Sequence, residues 1–157
     1  MIVPAAIARG ACYHPGVSHD LELPTPGDLI DVTVDHPRWS LIKRRSDGRI
    51  DFVTPLPCPY NYGSIDGWRS GDGDELDAVV LGPRLASGTR VRIAAVAVVG
   101  FLDAGLHDPK VICSAADLTA AQRKQLALFF RGYAGFKGAL AKARGKQGDT
   151  RFLGWLR

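Results

Sequence analysis

The segment Asp72-Gly73-Asp74-Glu75-Leu76-Asp77 places three aspartates within six residues, directly before the apolar run Ala78-Val79-Val80-Leu81. Aspartates this close repel, and each disfavours its neighbours' ionisation. A divalent cation relieves that repulsion, and oxygen-only ligands suit Mg2+, Mn2+ or Ca2+ rather than zinc. A solvated acidic turn would hold the same residues without any ligand, so these six positions alone leave both readings open. They do exclude an EF-hand, whose fifth and sixth loop positions would be Leu76 and Asp77, where a ligand and a glycine are needed. A second acidic pair, Asp103 and Asp108, stands five residues apart, with Lys110 two residues further on. Taken alone, that pair reads as a polar loop between strands.

The apolar runs around these residues predict the elements that position them. Leu29 to Val34 and Trp39 to Arg45 read as strands, and Ser46-Asp47-Gly48-Arg49 supplies a hairpin turn returning through Ile50 to Thr54. Pro55, Pro57 and Pro59 forbid a central strand over their own stretch and stiffen the entry to Tyr60-Asn61-Tyr62-Gly63. Leu76 to Leu81, Thr89 to Leu102 and Lys110 to Ser114 read as further strands. Thr119-Ala120-Ala121-Gln122 has the form of a capping box with Leu118 as its staple, and Leu126, Phe129, Phe130 and Tyr133 follow at helical spacing. A second helix is expected over Phe136 to Arg144. Many short strands followed by one or two helices predict a mainly β (α+β) fold: a small, twisted, antiparallel five-stranded OB-like barrel with flanking helices.

A chain of 157 residues, 46% hydrophobic and 23% charged, suits one domain able to bury its own core. We expect an irregular N-terminal arm over residues 1–27, where Pro4, Pro15, Pro24 and Pro26 interrupt any periodicity, and a single domain over 28–157. No apolar run is long enough to span a membrane, and the N-terminus lacks the pattern of a signal peptide. Three widely spaced cysteines without C-x-x-C fit a reduced, cytoplasmic protein. The net charge of +4 is mild. A nucleic-acid-binding barrel would want exposed aromatics interleaved with the basic residues, and Trp39 beside Arg38 is a thin case, so neither nucleic acid nor membrane is expected as a partner.

Together the motifs are more specific than any one alone. Pro59-Tyr60-Asn61-Tyr62-Gly63, then Asp72 to Asp77, then Asp103, Asp108 and Lys110 resembles the soluble, Mg2+-dependent inorganic pyrophosphatases in order and spacing (P-x-N-Y-G, D-G-D-x-x-D, D-x4-D-x-K). Val34 to Lys43 is similar to the family's V-E-I-P-R-G-S-x-N-K segment, Phe129 to Ala134 to F-F-x-x-Y-K, and Gly154-Trp155 to its closing G-W. The resemblance implies hydrolysis of pyrophosphate to two phosphates by a metal-activated water, with Mg2+ (Mn2+ as the alternative) and a homo-oligomer. It implies Asp72, Asp77 and Asp108 as ligands of the first metal and Asp103 and Asp35 as further metal-linked carboxylates. Asp74 would accept the water's proton. Lys43, Tyr62, Lys110 and Tyr133 would contact phosphate oxygens. A related hydrolase acting on another phosphate compound, or a non-catalytic metal or phosphate binder, is the alternative.

The chain departs from that pattern on the phosphate side. No basic residue lies between Ile50 and Pro59, where the family has an Arg. Ala134 replaces the Lys after the helical Tyr, Arg45 reverses a Glu, and Asp35 is one methylene shorter than the family's Glu, with Asp31 a competing choice. Substitute cations are sought among Arg38, Arg44, Arg45, Arg49, Arg69 and Lys137. His107, Trp68, Trp155 and Cys58 are read as solvated or structural.

Overall fold

The computed structural model of the protein describes residues 21–44, 47, 49–53 and 56–157. Most of the expected arm, and the Ser46 and Gly48 positions of the expected hairpin turn, lie outside the described residues. The elements run β1 (Leu29–His36), β2 (Ile42–Arg44), β3 (Ile50–Val53), β4 (Asn61–Arg69), β5 (Glu75–Val80), β6 (Arg90–Asp103), β7 (Leu106–His107), β8 (Lys110–Cys113), α1 (Ala120–Ala143) and β9 (Arg151–Trp155).

Strands β1, β4, β5, β8 and β6 hydrogen-bond in that order, and a further β1–β6 pairing closes them into a five-stranded barrel. Closure removes the open edges that an antiparallel sheet otherwise presents. All the barrel pairings are antiparallel except β5–β8. β2 and β3 form a separate hairpin. The long strand β6 bends at irregularities between Ala95 and Ala97 and between Gly100 and Phe101, which let it pair with β1, β8, β7 and β9 in turn.

The period-2 alternation of side chains sorts the apolar residues into two layers. Ile30, Val32, Ile65, Leu76, Ala78, Val80, Ala95, Val98, Val111 and Cys113 fill the barrel, joined by Leu23 from the segment before β1. Their alternates Val79, Ala97, Val99, Phe101 and Ile112 face outward and are covered by Leu126, Phe130 and Ala134 of α1. Each large side chain removed from water in this way contributes about 1.5–3 kcal/mol.

Thr119 caps α1 as expected: its side chain accepts from Gln122 N at 3.1 Å, and Gln122 Oε1 accepts from Thr119 N at 2.9 Å. The two expected helices are one 24-residue helix. Gly132, Gly135 and Gly138 each weaken helix propensity by about 1 kcal/mol, which is why the sequence reads as broken there. Packing on the barrel overrides them. Three strands were not anticipated from sequence: β4, the two-residue β7 within the expected acidic loop, and β9. β4 follows Pro59 almost at once and lies between β1 and β5, although Ser64, Asp66, Gly67 and Arg69 give it a polar, loop-like appearance. Its Gly63 is required by close approach, since a Cβ there would lie 2.1 Å from the Thr33 carbonyl oxygen. β9 docks beside β6, with Phe152 stacked on Phe130 at 5.9 Å.

Candidate active site on the outer face of the barrel

Cross-strand register brings three of the predicted residues, Tyr62, Asp77 and Lys110, together. On β4, β5 and β8 the pairs Tyr62–Val79, Ser64–Asp77 and Asp77–Lys110 lie side by side. Ile65, Leu76 and Val111 point inward, so Tyr62, Asp77 and Lys110 share the outward face beside α1.

Lys110 is the centre of this group. Its side chain is 1% exposed, and Nζ lies 2.5 Å from Asp77 Oδ2 and 2.5 Å from Asp108 Oδ2. Burial alone would lower the lysine's pKa, but the two carboxylates outweigh it and hold the amine protonated well above its ordinary range. Tyr62 donates its hydroxyl to the same Asp77 Oδ2 at 2.9 Å. Burial, then Asp77, Tyr133 and Asp108, raise the Tyr62 hydroxyl far above an ordinary phenol, so it remains a donor. Tyr133 approaches from α1, its ring 5.7 Å from that of Phe101.

The acidic loop is tied to this centre by a residue the sequence reading missed. Ser70 donates to Asp108 Oδ1 at 3.2 Å, and Gly71 N donates to the His107 carbonyl at 3.0 Å. Ser70 N in turn donates to the Asp74 carbonyl at 2.8 Å, closing the loop that carries Asp72 and Asp74. Both of those aspartates are exposed, and Asp72 Oδ1 accepts from Asp74 N at 3.0 Å. A serine in a polar loop carries no spacing signal, so only the tertiary contact reveals it.

Asp35 lies on β1 and accepts from Ser64 Oγ at 3.1 Å. Since Ser64 is the register partner of Asp77, this reaches the site from the neighbouring strand. Asp31 instead pairs with Arg92 at 3.5 Å, which favours Asp35 over its competitor. Asp103 ends β6, and its turn is clamped from below: Ala104 N donates to Thr150 Oγ1 at 3.1 Å and Gly105 N to Asp149 O at 2.8 Å. Asp103 is ion-paired with Lys137 of α1. Lys43 sits on β2 opposite Phe52.

Among the described residues, no three His, Cys, Asp or Glu side chains already converge as a metal cluster. Two carboxylate oxygens nevertheless face one positive charge at Lys110 Nζ. That oxygen-only donor set, with Asp72 and Asp74 on an adjoining exposed loop, fits a hard divalent cation. Of the other candidate cations, Arg45 lies outside the described residues. Arg38 donates to Gly82 O at 3.1 Å. It lines a separate cavity of about 180 Å3 with Tyr60, Leu81 and Leu126. Arg49 is near Asp47 at 3.9 Å. Ala134 is buried in the layer between helix and barrel. Burial pushes the Cys58 thiol up to about 11 and the Cys113 thiol up to about 12, so neither is a nucleophile at neutral pH.

A closed barrel carrying carboxylates, lysines and tyrosine hydroxyls on one outer face defines a class of protein suited to handling hard cations and polyvalent anions there. The sequence model of the inorganic pyrophosphatase family matches residues 32–150. An inorganic pyrophosphatase of Haemophilus influenzae is 31% identical over 156 residues, covering 83% of this chain and 84% of that protein. The crystal structure of an inorganic pyrophosphatase from Neisseria gonorrhoeae superposes with a TM-score of 0.65 at 29% identity, covering 83% of this chain and 86% of the other. That of Thermus thermophilus gives 0.66 at 26% identity, covering 87% and 88%. The chain belongs to the inorganic pyrophosphatase family.

Proposed function

We propose that the protein hydrolyses inorganic pyrophosphate to two phosphates with Mg2+, or Mn2+ in its place, at the Asp77–Lys110–Asp108 face. The observation that carries this reading is the convergence of Asp77 and Asp108 on one buried cation, beside a loop bearing two further aspartates. Asp72, Asp77 and Asp108 would hold the first divalent ion, with Asp103 and Asp35 as further carboxylates. Bound there, the ions would acidify a water and neutralise phosphate charge. Asp74 would accept the proton of the attacking water as its oxygen bonds to phosphorus, and the bridging oxygen would leave with the electron pair of the broken bond on the second phosphate. Lys110, Lys43, Tyr62 and Tyr133 donate to phosphate oxygens and hold them in line, since catalysis of this reaction is mainly positioning and charge neutralisation.

A homo-oligomer working in the cytoplasm completes the proposal. Trp39, Leu41, Ile50 and Leu56 are exposed apolar side chains, the kind of surface a second copy covers.

The test is phosphate release from pyrophosphate with Mg2+ titrated in, beside Asp74→Asn. Metal-dependent release that falls by about a hundredfold or more in the variant is expected for loss of a general base. Mg2+ binding without release rejects the reading. The second reading, a less highly charged phosphate substrate, is favoured by the inward-facing Ala134. It would show as faster release from an organic-substituted phosphoanhydride than from pyrophosphate.

A further inference from the structure

We propose that Lys137 is a phosphate-binding residue of this site, holding Asp103 in the free protein and transferring to substrate phosphate when a cation occupies Asp103. The inference rests on the site reading above and adds a residue to it. Helical geometry supports it first. Positions 126, 130 and 134 face the apolar layer on the outside of the barrel, whereas 133 and 137 are one turn apart on the neighbouring strip of α1. A long cation at 137 therefore stands beside Tyr133, and its Nζ lies 5.7 Å from the Tyr133 ring centroid. A cation at 134 would instead enter the apolar layer.

The second support is the ion pair. Lys137 and Asp103 side chains are each 31% exposed, so the pair sits at the rim of the site, open to an incoming ligand. It links α1 to the β6–β7 turn across the same face that holds Lys110. Lys110 itself is enclosed between Asp77 and Asp108, with 1% of its side chain exposed. Lys137 is thus the more accessible of these two lysines. A polyanion arriving with divalent cations offers each member of the Lys137–Asp103 pair a stronger partner: phosphate for the lysine, cation for the aspartate.

This exchange predicts changes of opposite sign. In Lys137→Gln, Mg2+ alone binds more tightly by a few fold, because Asp103 is no longer neutralised. Inorganic phosphate in saturating Mg2+ binds about tenfold or more weakly, as loss of one charge-assisted contact requires. Lys137→Arg restores phosphate binding to within a few fold of the unchanged protein. Both affinities are read by calorimetry on the full chain, with Lys142→Gln as the control, since Lys142 is exposed in the last turn of α1. A purely structural clamp would lower the melting temperature and leave the phosphate affinity unchanged, which overturns the proposal. Weaker Mg2+ binding in Lys137→Gln, or no phosphate binding by the unchanged protein, overturns it as well. Phosphate binding without pyrophosphate turnover would reject the hydrolase reading while leaving the Lys137 assignment standing.

Discussion

Lys110 and Asp77 are register partners in the parallel β5–β8 pair, and their side chains meet at 2.5 Å on the outward face. Asp108, two residues before Lys110, closes on the same ammonium from the chain entering β8. The contact between the acidic segment and the lysine is thus set by pairing of two strands whose connection includes all of β6.

Replacing Lys110 by Met leaves Asp108, 8% exposed, and Asp77, 26% exposed, as neighbouring anions without their cation. Breaking a buried pair on one side costs about 3–5 kcal/mol, and the partial exposure of Asp77 puts the expected loss near about 3 kcal/mol. Urea unfolding measures it. Added Mg2+ should recover part of the loss by binding the native state. A variant as stable as the parent would mean that the carboxylates are not held by this lysine.

The pH dependence has a definite sign. Lys110 and Tyr62 both have folded pKa values raised above their ordinary values of 10.5 and 10.0. Their contribution is complete below the unfolded pKa values and is lost as pH rises through the folded ones, because the native state then binds more protons than the unfolded state. Unfolding free energy should therefore fall above about pH 10, and the fall should be shallower in Lys110→Met with Tyr62→Phe. Unfolding curves between about pH 8 and pH 11 give the slopes. Equal slopes in parent and double variant would contradict the assignment.

Ser70→Ala removes the hydroxyl that donates to Asp108 Oδ1 at 3.2 Å, with the His107 carbonyl at 3.3 Å as the alternative acceptor for its one proton. Supporting hydrogen bonds around metal carboxylates are worth about ten- to a hundredfold in affinity, so Mg2+ affinity should drop by about tenfold. The stability cost should be only about 1 kcal/mol. Calorimetric titration checks the first and thermal unfolding the second. An unchanged Mg2+ affinity would show that the loop carrying Asp72 and Asp74 needs no anchor at Asp108.

The candidate residues of the site were legible in the chain because the charged residues cluster locally. Asp72 to Asp77 and Asp103 to Lys110 are short segments whose like charges demand a partner wherever the fold puts them. The capping box at Thr119 and the apolar runs of β5, β6 and β8 were legible for the same reason, since capping and alternation are nearest-neighbour properties. β4 was not, because its strand character comes from pairing on both edges and from the contact at Gly63, while its own residues from Ser64 to Arg69 are mostly polar. The continuity of α1 was hidden by Gly132, Gly135 and Gly138, whose propensity cost is offset only when the barrel packs against the helix. The choice of Lys137 over Ala134, of Asp35 over Asp31, and of Ser70 as an anchor likewise depends on which face of a helix or strand meets the site. Residue types determined that hard cations and phosphate could be handled here. Long-range pairing in the closed barrel decided which of the candidate side chains meet one another, because only tertiary structure converts sequence distance into contact.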